Sequence, residues 1–316
     1  VTMKIINADE MSGDDRFRQV MTTLTDVFRD LSAGREQSPA RLLLQHGPSE
    51  MLISPAAWMQ RGVASVKITT LTLGNSGQGL PLIHGIVVLT NINTGQVIAL
   101  FDGADLTAVR TGAVAGLATN LCAPVDAGDL AILGAGVQAR AVLQAMLVVR
   151  KIRSVRIFSR SATRITEFVQ WARTVTGIKV TVCDSVFEAV RGAEIICTTT
   201  STSSSVPLIE ADWVAPGAHL NIIGGTHEDA IEVAPALLKS AFVAVEKSSA
   251  AQEEAGEIRA ALLLGYIQSE ELHELGALIL GESAVEEGRI TLFRSVGLAI
   301  EDTAAALALY VPPENI

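Results

Sequence analysis

The stretch Asp129-Leu-Ala-Ile-Leu-Gly-Ala-Gly-Val-Gln-Ala139 has residue types and spacing suited to holding a pyrophosphate. Gly134 permits a tight turn, Gly136 lets a phosphate approach the backbone, and Ala139 lets the following helix lie close to its strand. Val137 and Gln138 fall at the start of that helix, where free N–H groups and the helix dipole favour an anion. A GxGxxA turn is weak by itself. Here an apolar strand precedes it and an apolar helix follows, which is the setting a dinucleotide fingerprint requires.

The next strand ends Ile157-Phe158-Ser159-Arg160-Ser161. At this distance past the glycines an NAD enzyme usually places an acid on the ribose hydroxyls, and no acid stands there. Ser159, Arg160 and Ser161, with Arg164 one turn on, offer hydroxyls and guanidinium groups instead. Such groups hold a 2′-phosphate that a carboxylate would repel. The pattern favours NADP(H). NAD(H) stays open, with Arg160 and Arg164 then being solvated residues at a helix start.

Other chemistries find little support. The net charge is −10, from 24 basic and 34 acidic residues, with no Lys/Arg-rich run, so no nucleic-acid partner is expected. Cys122, Cys183 and Cys197 follow no metal or redox spacing, and the five histidines form no ligand pattern, so no metal is expected. Scattered cysteines suit a reducing, cytoplasmic setting. No apolar run reaches the ~18 residues of a membrane span, and the first residues lack the apolar stretch of a signal peptide.

The elements that must carry these residues fall into two regions. Phe17, Val20, Leu24, Val27, Phe28 and Leu31 recur at helical spacing, with Asp14 or Asp15 as the start. Strand-like stretches follow at Arg41–His46, Val63–Leu73, Leu82–Thr90 and Gln96–Phe101, which implies a mainly antiparallel sheet. Asp105 is expected to cap a helix running to about Leu121. From Asp129 strands at Leu130–Leu133, Val155–Phe158, Lys179–Val182, Ile195–Thr198, Leu220–Ile223 and Phe242–Val245 alternate with helices such as Val137–Val149 and Arg164–Thr174. That alternation predicts a parallel, doubly wound sheet, and Gly297–Leu309 reads as a final helix. The fold class is α/β, a Rossmann-type dinucleotide-binding domain beside a strand-rich α+β domain.

Five stretches together resemble the ornithine cyclodeaminase/mu-crystallin family. They are Val66-Lys67-Ile68, Asp105-Leu-Thr-Ala-Val-Arg-Thr-Gly-Ala113, Gly134-Ala-Gly-Val-Gln-Ala139, Leu220-Asn-Ile-Ile-Gly-Gly225 and Phe293-Arg-Ser-Val-Gly-Leu-Ala-Ile-Glu-Asp302. They occur in the family's order and span most of the chain. The resemblance implies a homodimer. It also implies a substrate-binding and dimerisation domain over 1–112 and 295–316, and an NAD(P)-binding domain over 113–294. Arg41, Lys67 and Arg110 match the basic residues that hold the substrate carboxylate in that family, and Lys67 is the expected acid. Thr111, Thr199, Ser295, Val296 and Gly297 match positions near the cofactor, while Asp302 is expected to cap or support. Glu50 is a weaker match to a substrate-site glutamate, the alternative being a solvated loop acid.

One departure matters. Where the family's cyclodeaminases carry an aspartate after the paired glycines, this chain has Thr226, followed by His227, Glu228 and Asp229. Threonine cannot ionise near neutral pH, so Glu228 or Asp229 would have to reach back. The expected activity is therefore NAD(P)H-dependent reduction of a small 2-imino or cyclic imino acid, as in ketimine and pyrroline-2-carboxylate reductases or amino-acid dehydrogenases. The alternatives are ornithine cyclodeamination and non-catalytic ligand binding of the crystallin type.

Overall fold

Two sheets organise the chain, one mixed and one wholly parallel. The computed structural model describes residues 3–310 except 12, 48, 73, 76–78 and 226–228. It resolves into two compact units, Val1–Ala113 with Gly297–Ile316, and Val114–Val296.

In the first unit the strands lie in the order Lys4–Ile6, Val97–Asp102, Ile83–Asn91, Val63–Thr72, Ser49–Trp58 and Glu36–Gln37, and Leu42–His46 also pairs with Ser49–Trp58. All pairs are antiparallel except that of Lys4–Ile6 with Val97–Asp102. The helix Asp14–Ser32 buries Phe17, Val20, Leu24, Val27, Phe28 and Leu31, the predicted stripe. The helix Ala299–Leu309 packs on that helix and on the strands Ser49–Trp58, Val63–Thr72 and Ile83–Asn91.

Three expectations need correction here. Ser49–Trp58 is a strand that periodicity did not reveal. Proline inside a strand counts against it, but Pro55 falls between the residues paired with Leu42–His46 and those paired with Glu36–Gln37. The long helix begins at Gly103, not at Asp105. Asp102 caps it, accepting from the Ala104 and Asp105 N–H groups at 2.9 and 3.0 Å. Gly297 lies outside the last helix, with φ of 76°.

The second unit is a doubly wound parallel sheet. Its strands lie in the order Val180–Val182, Ser154–Phe158, Asp129–Leu133, Ile195–Thr198, His219–Ile222, Thr291–Arg294, Phe242–Val245 and Leu272–Glu274. Leu133, Ile196, Leu220, Ile222, Val243 and Leu292 pack in one apolar cluster within it. The last strand in chain order, Thr291–Arg294, lies between His219–Ile222 and Phe242–Val245. It and Leu272–Glu274 escaped the sequence reading, being short and carrying Thr, Arg, His and Glu. Among the described residues no helix is long and apolar enough to cross a membrane.

Candidate active site

In a strand, residues two apart share a face. Lys67 and Thr69 therefore point the same way from Val63–Thr72, and register sets Ser54 opposite Lys67 and Leu52 opposite Thr69. These four residues, with Arg41, Arg110, Gly297, Ala299 and Asp302, line a cavity of about 140 Å³ in the first unit. The structure thus brings Arg41, Lys67 and Arg110 together, although they are far apart in sequence.

The cations are held in place by neighbours. Arg41 Nη2 donates to the Gly297 carbonyl at 2.7 Å. Arg110 Nη1 donates to Glu301 Oε2 at 3.0 Å, and its Nε faces Asp302 Oδ1 at 3.3 Å. Lys67 Nζ pairs with Asp302 Oδ2 at 2.7 Å. A Cβ at residue 297 would meet Arg110 Nη1 at 2.7 Å, so glycine lets the guanidinium lie against the backbone. Glu301 and Asp302 occupy the first turn of Ala299–Leu309, where the helix dipole favours carboxylates. Glu301 Oε1 also accepts from the Leu298 N–H at 2.9 Å, so one side chain both caps the helix and fixes Arg110. Burial pushes the Lys67 ammonium below its ordinary pKa; Asp302 opposes that shift, and the Arg110 and Arg41 charges add to it. Three cations around a small cavity can bind a carboxylate by charge-assisted hydrogen bonds, and a lysine of lowered pKa can exchange a proton there.

The dinucleotide turn lies in the second unit. Gly134 has φ of 110°, and a Cβ there would meet Thr199 Oγ1 at 2.6 Å and the Thr199 carbonyl at 2.8 Å. Thr199 is fixed by its N–H and hydroxyl, which donate to the Leu133 carbonyl at 2.7 and 3.1 Å. Ala139 is wholly buried and Val137 is exposed. Gly136 stands at the N-cap of Val137–Val149 with no side-chain cap, and a Cβ there would enter open space. The buried Gln138 Oε1 has no hydrogen-bond partner. An uncapped helix start, open space at the second glycine and an unsatisfied buried polar atom fit a bound dinucleotide.

Ser161 caps Ala162–Val175, accepting from the Arg164 N–H at 3.4 Å, and Ser159 Oγ accepts from the Ser161 N–H at 3.4 Å. The Arg160 and Arg164 side chains are exposed. Thr111, in the first unit, is buried with its hydroxyl lacking a partner. Ser295 donates to Glu246 Oε1 at 2.6 Å, and the Val296 N–H donates to Glu246 Oε2 at 2.9 Å. Gly297 is placed with Arg41 and Arg110. Glu50 lies within Ser49–Trp58 opposite Gln45 and Leu71, so it is not a loop acid, and it is absent from the cavity lining. Thr226, His227 and Glu228 fall outside the described residues, and Asp229 follows them.

Sequence reasoning gave Asp302 a supporting role but missed Glu301 beside it and the buried acids of the second unit. Beneath the carbonyl edge of the parallel sheet, Glu232 accepts from the Thr198 hydroxyl and, at 2.6 Å, from the Thr200 hydroxyl. Arg294 Nε pairs with Glu257 at 2.6 Å, and its Nη atoms donate to the Gly224 and Gly225 carbonyls at 2.7 and 2.8 Å. Burial raises the Glu232 carboxyl to about 7 against the pull of its two threonine donors. The available signal was an acid inside the apolar run Ala230–Ala234 and an arginine ending a buried strand.

The sequence pattern of the ornithine cyclodeaminase/mu-crystallin family matches residues 2–312. The chain is 33% identical over 314 residues to a Delta(1)-pyrroline-2-carboxylate reductase of Bacillus cereus, covering 98% of this chain and 96% of that one. Among solved structures it is similar to Thermococcus litoralis Delta(1)-pyrroline-2-carboxylate reductase in complex with NADH and L-proline. The TM-score is 0.90 at 28% identity, over 98% of this chain and 96% of that one. An archaeal alanine dehydrogenase dimer with bound NAD gives a TM-score of 0.86 at 29% identity, over 98% and 95% of the two chains.

Proposed function

The chain belongs to the ornithine cyclodeaminase/mu-crystallin family, and from that premise we propose that it reduces a small 2-imino or cyclic imino acid to the amino acid with NAD(P)H. The observation that carries this reading is the meeting of Arg41, Lys67 and Arg110 on one small cavity. The similar proteins named as pyrroline-2-carboxylate reductases support the reaction type.

Arg41 and Arg110 hold the substrate carboxylate, which fixes the adjacent C=N carbon and converts binding energy into orientation. The nicotinamide, when bound, supplies a hydride to that carbon. Lys67 gives a proton to the imine nitrogen and recovers one from solvent. Leu52, Ser54, Thr69 and Ala299 shape the space left for the substrate's side chain or ring. Gly134, Gly136, Val137, Gln138, Ala139 and Thr199 hold the dinucleotide, with Thr111, Ser295 and Gly297 as further contacts.

Within NAD(P), NADP(H) is the preferred form in this reading. Ser159, Arg160, Ser161 and Arg164 present donors with no acid among them, although the two similar solved structures hold NADH and NAD. The functional unit is a homodimer built through the first unit, which serves substrate binding and dimerisation while the second serves the cofactor. The strand Leu42–His46 supports this, for Leu42, Leu43 and Leu44 are all exposed on a sheet edge. A monomer by light scattering at micromolar concentration would refute the dimer. Three buried free thiols are consistent with a cytoplasmic setting.

The activity is tested with a panel of cyclic imines, 2-oxo acids plus amines, and ornithine, following NADPH, NADH and ammonia together. Stoichiometric loss of reduced cofactor with a cyclic imino acid supports reduction. Ammonia release from ornithine with no net change in cofactor would assign a cyclodeaminase instead.

A further inference from the structure

We infer that Asp302 is the positioning residue that holds the Lys67 ammonium charged and aimed into the cavity, so that it can serve as proton donor; the inference rests on the reductive reading above. The geometry is specific. Asp302 Oδ2 lies 2.7 Å from Lys67 Nζ, while Oδ1 faces Arg110 Nε at 3.3 Å. One carboxylate thus spans the expected acid and an expected carboxylate-binding group. Its own position is rigid, since the side chain is 2% exposed and sits in the first turn of Ala299–Leu309. The helix dipole at that turn favours its ionised form.

Lys67 needs such a partner. Its strand neighbours across the sheet are Ser54 and Val87, which carry no charge. The charged groups that act on it are Asp302 from the last helix, Arg110 from Gly103–Cys122 and Arg41 from the segment before Leu42–His46. Two of these three are cations, and burial also favours the neutral amine. Asp302 is the group opposing all of them. Its loss would leave an amine that is neutral over more of the working pH range and free to turn away from the substrate nitrogen. In the reductive step the Lys67 N–H bond breaks as the substrate N–H bond forms, hydride adds to the carbon, and NAD(P)H becomes NAD(P)+. Lys67 then regains its proton from water at the mouth of the cavity, where its side chain is 13% exposed.

Two readouts on the full-length protein test this. The first is the pH dependence of Lys67 acylation by an amine-reactive reagent, followed by mass spectrometry, which requires no catalysis. The second is the pH profile of kcat on a cyclic imino acid. In Asp302→Asn the labelling midpoint of Lys67 should move to lower pH. The kcat profile should fall with it, losing about tenfold per pH unit above the new midpoint. Asp302→Glu should restore both towards the native profile, and Asp302→Ser serves as the neutral variant if the asparagine protein does not fold. An unchanged labelling midpoint in a folded neutral variant overturns the inference. A lowered midpoint with an unmoved kcat limb would instead sink the assignment of Lys67 as donor.

Discussion

In the first unit Lys67 and Arg110 meet Asp302 and Glu301 at the wall of a cavity. In the second, Arg294 meets Glu257, close to Glu232, inside the core, where all three are essentially without solvent contact. Both are clusters of cations and carboxylates, and their uses differ. Arg294 directs its donors to the Ile222, Gly224, Gly225 and Ser295 carbonyls and to Glu257, so it fixes the backbone edge of the sheet. Lys67 instead keeps a face towards open volume. A charge cluster that borders a cavity can admit a ligand, whereas a sealed one can only hold shape. On that contrast the first cluster can meet a ligand, while the second holds backbone in place.

The largest expected effect lies in the open cluster. Lys67→Ala should lower kcat by about 10²–10⁴-fold, the usual worth of a general acid, with NADPH affinity by fluorescence titration nearly unchanged. Arg110→Ala should act chiefly on the substrate KM, because the carboxylate contact exists in both ground and transition states. A near-normal kcat for Lys67→Ala would move the proton donor elsewhere and erase the contrast between the clusters.

The sealed cluster should respond in stability instead. Arg294→Met leaves Glu257 buried without its cation, which costs about 3–5 kcal/mol for a buried pair broken from one side. Urea denaturation reads this directly, and a loss below about 1 kcal/mol would contradict the role given to Arg294. The same cluster should also give a smaller, pH-dependent signal. Glu232 titrates at about 7 in the folded protein against an ordinary 4.5, so the folded state binds the proton more tightly. Its contribution to stability is full below about 4.5 and is lost as pH rises through about 7. Glu232→Gln should flatten that slope, whereas an unchanged slope would place the titration on another group. Arg160→Ala is expected to have the smallest effect, narrowing the preference for NADPH over NADH with no loss of stability. Equal affinity of the unmodified protein for both cofactors would remove the basis for that preference.

Six of the eight strands of the parallel sheet were legible as short runs rich in Val, Ile and Leu alternating with helices, and the turn demands glycine at residue 134, where φ is 110° and Thr199 leaves no room for a Cβ. Ser49–Trp58 was not legible, since Pro55 argues against a strand until the gap between its two edge partners is known. With that strand hidden, Leu52 and Ser54 could not be seen opposite Thr69 and Lys67. Arg41, Lys67 and Arg110 were found through family resemblance, because nothing local links residues on a loop, a strand and a helix. The pairing of these cations with their counter-charges was hidden for a related reason. Asp302 was expected only to cap or support, Glu301 was not singled out, and their partnership with Lys67 and Arg110 exists only once the last helix packs on the sheet of the first unit.

The central claim, that this cavity receives the substrate's carboxylate beside a lysine donor, is tested most directly by a crystal structure of the protein with NADP+ and a cyclic amino acid such as L-proline. The account predicts the carboxylate within hydrogen-bonding distance of the Arg41 and Arg110 guanidinium groups and the ring nitrogen directed at Lys67 Nζ. A ligand bound with its carboxylate away from both arginines, or with Lys67 still turned wholly to Asp302 and remote from the nitrogen, would contradict it.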